Sequence, residues 1–176
     1  MNCLRRDERG VTLLELLVAL PIAAMIVIAA SGAIFQMLNS TSARNHMIAY
    51  REVQTAGYWI SYDGVQAQTV TTGPNAGFPL IFGWIDWDSG NEYCITYTLE
   101  DMSGADLWYV ERQESVNGVP EGTTLVVQYI HVDTEPAKPT NCVWDGQEKV
   151  LTFTVRAEVA QESAIRTYEI KPRPLS

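Results

Sequence analysis

The chain has 176 residues, with 12 Lys and Arg against 21 Asp and Glu, and a formal charge of −9. That balance, with no basic run anywhere, excludes a general nucleic-acid surface, because phosphate binding needs clustered Lys and Arg. Apart from an apolar N-terminal segment, about 110–140 residues remain, enough for one core in one globular domain.

Residues 1–10 are polar and hold the sole basic concentration, Arg5, Arg6 and Arg9, offset in part by Asp7 and Glu8. From Leu16 to Phe35 no side chain is charged. A helix of about 20 residues spans about 30 Å, the thickness of the hydrocarbon core, so residues 16–35 are predicted to cross a membrane. The basic leader places the N-terminus in the cytoplasm and the rest of the chain outside. One carboxylate, Glu15, stands where the apolar run begins. A charge at the bilayer centre costs roughly 2.5–3.5 kcal/mol on insertion scales, so such a group implies a partner or a function. Two plainer accounts compete. A cleavable secretory signal would cut near Ala29-Ala30-Ser31, but Glu15 and Pro21 interrupt the run where a signal is most uniform. In a plain single-pass anchor, Glu15 would merely reach for the headgroups.

The stretch Gly10-Val11-Thr12-Leu13-Leu14-Glu15-Leu16-Leu17-Val18-Ala19-Leu20 resembles the N-terminal processing motif of type IV prepilins and pseudopilins. The resemblance implies that a prepilin peptidase cuts after Gly10 and methylates the new terminus at Val11, where Phe is more usual. It further implies that Glu15 serves assembly. An amine at Val11 of one subunit would meet the Glu15 carboxylate of another when helices pack side by side. Attraction between the two is largely offset by their desolvation, so the pair specifies register more than it adds stability.

Pro21 removes a backbone hydrogen bond and favours a kink, and Ser31-Gly32 stands where many pilins carry a further Pro. Beyond a polar interruption at residues 39–42, Ala49, Val53, Ala56 and Ile60 recur at spacings of four, three and four, an amphipathic stripe. One long helix over residues 11–66 is predicted, its second half packed on a globular domain, with Trp59 and Tyr62 in that packing. Gly73 to Pro79 breaks regular structure. Residues 80–87, 92–99 and 107–114 read as an antiparallel meander, followed by strands at 124–132, 149–158 and 165–170. Within the second, Ile95, Tyr97 and their alternates form an apolar face, which leaves Cys94 on the other. Leu151, Phe153, Val155 and Ala157 alternate likewise. The fold class is α+β, a long N-terminal helix on an antiparallel sheet, with a leader at 1–10 and a β-sheet domain at 73–176 outside the cytoplasm. The 52–60 segment followed by Asp63 is loosely similar to minor pilins and J-type pseudopilins.

Of three cysteines, Cys3 lies in the leader, so a processed chain keeps Cys94 and Cys142. An even pair suits an oxidising compartment, and a bridge is expected. It would close a loop of roughly 50 residues, worth about 4 kcal/mol in the chain-entropy model. Asp86, Asp88 and Glu92 around Gly90 crudely imitate a calcium loop, but the EF-hand pattern is missing and the same residues suit a hairpin turn, which is favoured. No cofactor is otherwise expected. His46 and His131 have no nucleophile motif beside them, so no enzyme is indicated. Trp59, Trp84, Trp87, Trp108 and Trp144 would suit a sugar platform, though core packing and subunit contact are favoured. The function expected is a minor pilin or pseudopilin of a type IV pilus or type II secretion-like filament. Its partners would be the prepilin peptidase, sibling pilins met through the helix, and the cytoplasmic membrane, with no nucleic acid. A single-pass anchored ligand-binding module is the alternative.

Overall fold

A computed structural model of the chain describes residues 12–102, 107–132 and 139–173. The described residues up to Ala43 and those from Arg44 onward form two compact units. The helix α1 (Leu13–Gln66) contributes to both and continues through Pro21, Gly32 and the polar residues 39–42. Helical hydrogen bonding absorbs the polar side chains. Ser31 Oγ donates to the Val27 carbonyl at 2.8 Å, and Thr41 Oγ1 to that of Met37 at 3.0 Å.

In the second unit α1 packs on a curled antiparallel sheet. Ala49, Val53, Ala56 and Ile60 are fully buried, the stripe that their spacing predicts. Gly57, Asp63 and Gly64 extend it. Tyr62, expected in the same packing, is instead 54% exposed. It lies two residues past Ile60, about 200° round the helix, and stacks on Tyr58 along the outer face.

The eight strands are β1 (Thr69–Gly73), β2 (Gly77–Ile85), β3 (Glu92–Asp101), β4 (Trp108–Val116), β5 (Val119–Ile130), β6 (Asn141–Asp145), β7 (Val150–Val159) and β8 (Glu162–Ile170). They pair in the order β1-β2-β3-β4-β5-β7-β6, with β8 also on β7. The register opposes Leu80 to Tyr97 and Phe82 to Ile95, so one face buries all four, and Phe82 meets Tyr97 edge-on at 6.0 Å. Leu151, Phe153, Val155 and Ala157 complete the core from β7. Each fully buried Phe, Leu or Ile contributes roughly 1.5–3 kcal/mol.

Two strands, β1 and β6, go beyond the sequence-based expectation. The β-branched run Thr69-Val70-Thr71-Thr72 pairs with β2. β6 lies between the strands expected at 124–132 and 149–158, and it alternates Cys142 inward with Val143 outward. The sheet curls until Cys142 N donates to the Ala76 carbonyl at 2.9 Å. Gly77, at φ +84°, permits this approach, because a Cβ there would strike the Cys142 backbone.

Strand β5 begins five residues earlier than expected, after a two-residue turn at Asn117-Gly118 with both φ positive. That is the turn whose twist matches a hairpin. β5 is irregular further on. Val126 and Val127 are both buried where the register with β4 shifts, the mark of a bulge. Glu52 on α1 accepts from the Gln128 amide at 2.9 Å and ties this stretch to the helix.

Candidate processing and assembly site

The first described residue caps α1. The Glu15 amide donates to Thr12 Oγ1 at 3.3 Å, and Glu15 Oε2 reaches back to accept from the Thr12 amide at 2.8 Å and from its hydroxyl at 3.0 Å. Leu16 N donates to the Thr12 carbonyl at 3.2 Å, which opens the helical ladder. This is a capping box, Thr at the N-cap and Glu at N3, which together satisfy two donors that a helix start leaves orphaned. The sequence signal was the Thr-x-x-Glu spacing itself. Glu15 thus has a local partner one residue from Val11. Gly10 and Val11, the cleavage and methylation residues implied by the motif, lie outside the described residues.

Beyond Glu15 no side chain is charged until Arg44. The apolar side chains between them are open, with Leu17 62%, Ile28 72% and Phe35 65% exposed. This helix is long and apolar enough to cross a membrane. Such a surface has no stable place in water, since its burial is the main gain available to it. The site therefore consists of a capped carboxylate at the head of an unpartnered apolar rod, a construction suited to lipid and to like helices. Residues 5–31 match the family model described as the prokaryotic N-terminal methylation motif. The chain carries the type IV prepilin cleavage and methylation signal. That signal indicates type IV pilin-like processing by prepilin peptidase and assembly with other pilins, and together with the apolar helix it fits membrane anchoring. No curated protein and no solved structure matches the chain.

The other sites expected from the sequence fare differently. Cys94 and Cys142 do not form the anticipated disulfide; both are free. Cys94 lies opposite Gly83 near the far end of β2, whereas Cys142 abuts Gly77 at its start. Six residues of strand separate those points by about 20 Å, while a bridge needs Cα atoms within about 7 Å. Burial pushes the Cys142 thiol well above its ordinary pKa, so it is held protonated and inert.

Asp86, Asp88 and Glu92 do not converge. Asp86 Oδ2 accepts from Ser89 Oγ at 2.7 Å and Oδ1 from the Asp88 amide at 3.2 Å, while Gly90 N donates to the Asp86 carbonyl at 2.7 Å. Those bonds, that from Ser89 foremost, hold the Asp86 carboxyl below its usual pKa. The Glu92 amide is taken by Asn117 Oδ1 at 2.9 Å. Among the described residues, no three His, Cys, Asp or Glu side chains are placed to hold a metal. His46 is exposed and His131 half-buried. Trp59, Trp84, Trp108 and Trp144 pack partly against the core, but Trp87 is 71% exposed.

One cluster that the fold assembles was not foreseen from the sequence. Asp63, fully buried on α1, accepts from Tyr97 Oη, from Arg112 Nε at 2.7 Å and from Arg112 Nη2 at 3.2 Å. Arg112 Nη1 donates to Glu114 at 2.8 Å, and its guanidinium lies over Trp59 at 5.4 Å. Burial alone would lower the Arg112 pKa, but the hydrogen bonds to Asp63 and Glu114 outweigh it and raise the pKa further above its ordinary value. Burial, followed by the Asp63 charge, raises Tyr97 likewise. The cluster locks the end of α1 to β3 and β4.

Proposed function

We propose that this protein is a minor pilin or pseudopilin of a type IV pilus-like or type II secretion-like filament. In this account residues 1–10 are a leader cut after Gly10, and Val11 becomes the methylated terminus. Residues 16–35 span the cytoplasmic membrane with the N-terminus inside, and the β-sheet domain lies outside the cytoplasm. The observation that carries it is the methylation motif continued by an exposed apolar helix whose sole charge before Arg44 is Glu15.

The chemistry follows from that charge. An α-amine of ordinary pKa near 8 is cationic at neutral pH, and methylation leaves it so. In a single helix the capping box already engages Glu15 with Thr12. When helices lie side by side in lipid, the carboxylate has a second partner in the amine of a neighbour. Two opposite charges desolvated together fix one stagger, because any other leaves the amine without a counter-charge and Glu15 with Thr12 alone. A single-pass binding module would use the same anchor but leave Glu15 idle.

Intact-mass measurement of the membrane form should show loss of residues 1–10 plus one methyl group. An unprocessed terminus in cells with active prepilin peptidase would refute the assignment. Glu15→Ala should insert and be cleaved but stay out of filaments; normal incorporation would refute the role given to the carboxylate.

A further inference from the structure

On the domain surface, β2 and its turn meet the end of α1 around a cleft of about 660 Å³, within the range of small-ligand sites. Its walls are aromatic. Trp59 stands on one side beneath the Arg112 guanidinium, and Trp84 and Tyr93 stack in parallel at 5.5 Å on the other. Trp87, 71% exposed, stands at the mouth. An open indole beside two half-buried ones exceeds what packing requires. The polar groups are of both signs. Asp63, Asp86, Asp88 and Glu114 face Arg112 and Arg173, and the buried Asp63–Arg112 pair, continued by the half-exposed Glu114, fixes the floor.

This mixture selects the chemistry of an occupant. An anion would meet the carboxylates of Asp86, Asp88 and Glu114. A cation would meet two guanidiniums, and it would find the Trp59 face already covered by Arg112. A neutral polyhydroxylated ring avoids both conflicts. Its C–H face lies on an indole, and its hydroxyls both donate and accept, so they pair with carboxylates and with guanidinium or amide donors such as Gln66. We propose that the cleft bounded by Trp59, Trp84 and Trp87 binds a neutral saccharide. Trp87 supplies the outer stacking face, Asp88 and Glu114 accept from hydroxyls, and Arg173 donates at the rim.

The test uses the full chain in phosphatidylcholine nanodiscs, since glycosidic detergents would compete. The probes are neutral tetrasaccharides of glucose, mannose, galactose and N-acetylglucosamine, read by tryptophan fluorescence and by saturation transfer to ligand protons. At least one should bind saturably. Trp87→Ala, which removes an exposed side chain, should weaken that binding about tenfold, and Asp88→Asn should weaken it less. Val143→Ala, at an exposed position on β6 outside the cleft, should leave it unchanged. No saturable binding of any of the four up to about 10 mM, binding indifferent to Trp87→Ala, or tighter binding of tetramethylammonium or of a sulfated oligosaccharide would overturn the proposal. Binding should be equal with and without residues 1–10, so the result stands apart from the outcome for processing and assembly.

Discussion

Neutralising Asp63 tests whether the buried cluster holds the end of α1 on the sheet. The Asp63 side chain is 1% exposed and that of Arg112 is 11% exposed. Asp63→Asn keeps the shape but removes the charge, and it turns an amide donor toward Arg112 or Tyr97, which both donate. Breaking one side of a buried ion pair costs about 3–5 kcal/mol, mostly from the charge left behind. Arg112 retains Glu114, which is 35% exposed and in contact with solvent, so the lower end, about 3 kcal/mol, is expected. Tyr97→Phe removes one hydrogen bond to a charged acceptor and should cost about 1.5–3 kcal/mol. Asp63→Leu combined with Arg112→Met removes both charges and should cost less than the sum of the two single changes, by a coupling of about 2 kcal/mol. Urea unfolding of the full chain in micelles, followed by tryptophan fluorescence, measures these variants together with the single changes Asp63→Leu and Arg112→Met. A loss below about 1 kcal/mol for Asp63→Asn, or strictly additive single changes, would show that the cluster does not fasten helix to sheet.

Three further outcomes follow from the same geometry. Tyr97 has its pKa raised by burial, so the unfolded chain releases this proton near pH 10 while the folded one retains it. Its contribution is complete below pH 10 and lost above it, at up to about 1.4 kcal/mol per pH unit, and the alkaline slope of stability should be shallower in Tyr97→Phe; equal slopes would refute the assignment. Gly57→Ala gains about 1 kcal/mol of helix propensity, yet its Cβ would stand inside the Tyr168 ring, whose hydroxyl donates to the Val53 carbonyl at 3.2 Å. Net destabilisation of about 1–2 kcal/mol is expected in thermal unfolding, and a raised melting temperature would contradict the close approach. Ser89→Ala should raise the Asp86 pKa toward its ordinary value, because the Ser89 hydroxyl is the main group stabilising the carboxylate; an unchanged carboxyl titration by NMR would remove that bond from the turn.

Where the sequence pattern was regular it located structure, because burial on one face leaves a period to read. Ala49 to Ile60 on α1 and Leu151 to Ala157 on β7 are such cases, and both are buried to the last residue. Where local chemistry set the structure, the period was silent. The start of β5 at Val119 was written in Asn117-Gly118, a turn dipeptide, and the helix cap in Thr12 and Glu15, a capping pair. β6 had too few residues to show a period. Asp63 was least legible. Its partners, Tyr97 and Arg112, lie 34 and 49 residues away, and only the closed register of β3 with β4 brings them opposite one helix position.

The capping box also bears on how assembly would begin. A carboxylate without a local partner at the head of an apolar helix would be driven to neutralise itself by taking a proton, at a cost set by its desolvation. Glu15 instead holds the Thr12 amide and hydroxyl, so it stays an acceptor before any neighbour arrives. Two lone-pair-bearing oxygens give it capacity beyond those bonds, since both bonds from Thr12 fall on Oε2. Among the described residues Oε1 takes up neither bond, so it is the atom on which an amine would dock without breaking the cap. Thr12→Val separates these two uses. It keeps the apolar bulk and the backbone bond but deletes the hydroxyl contacts, so helix entry loosens by about 0.5–2 kcal/mol while Glu15 remains. Reduced but measurable filament incorporation of Thr12→Val, against none for Glu15→Ala, is the expected order. The reverse order would mean that Glu15 matters as a cap and not as the receiver of a neighbour's charge.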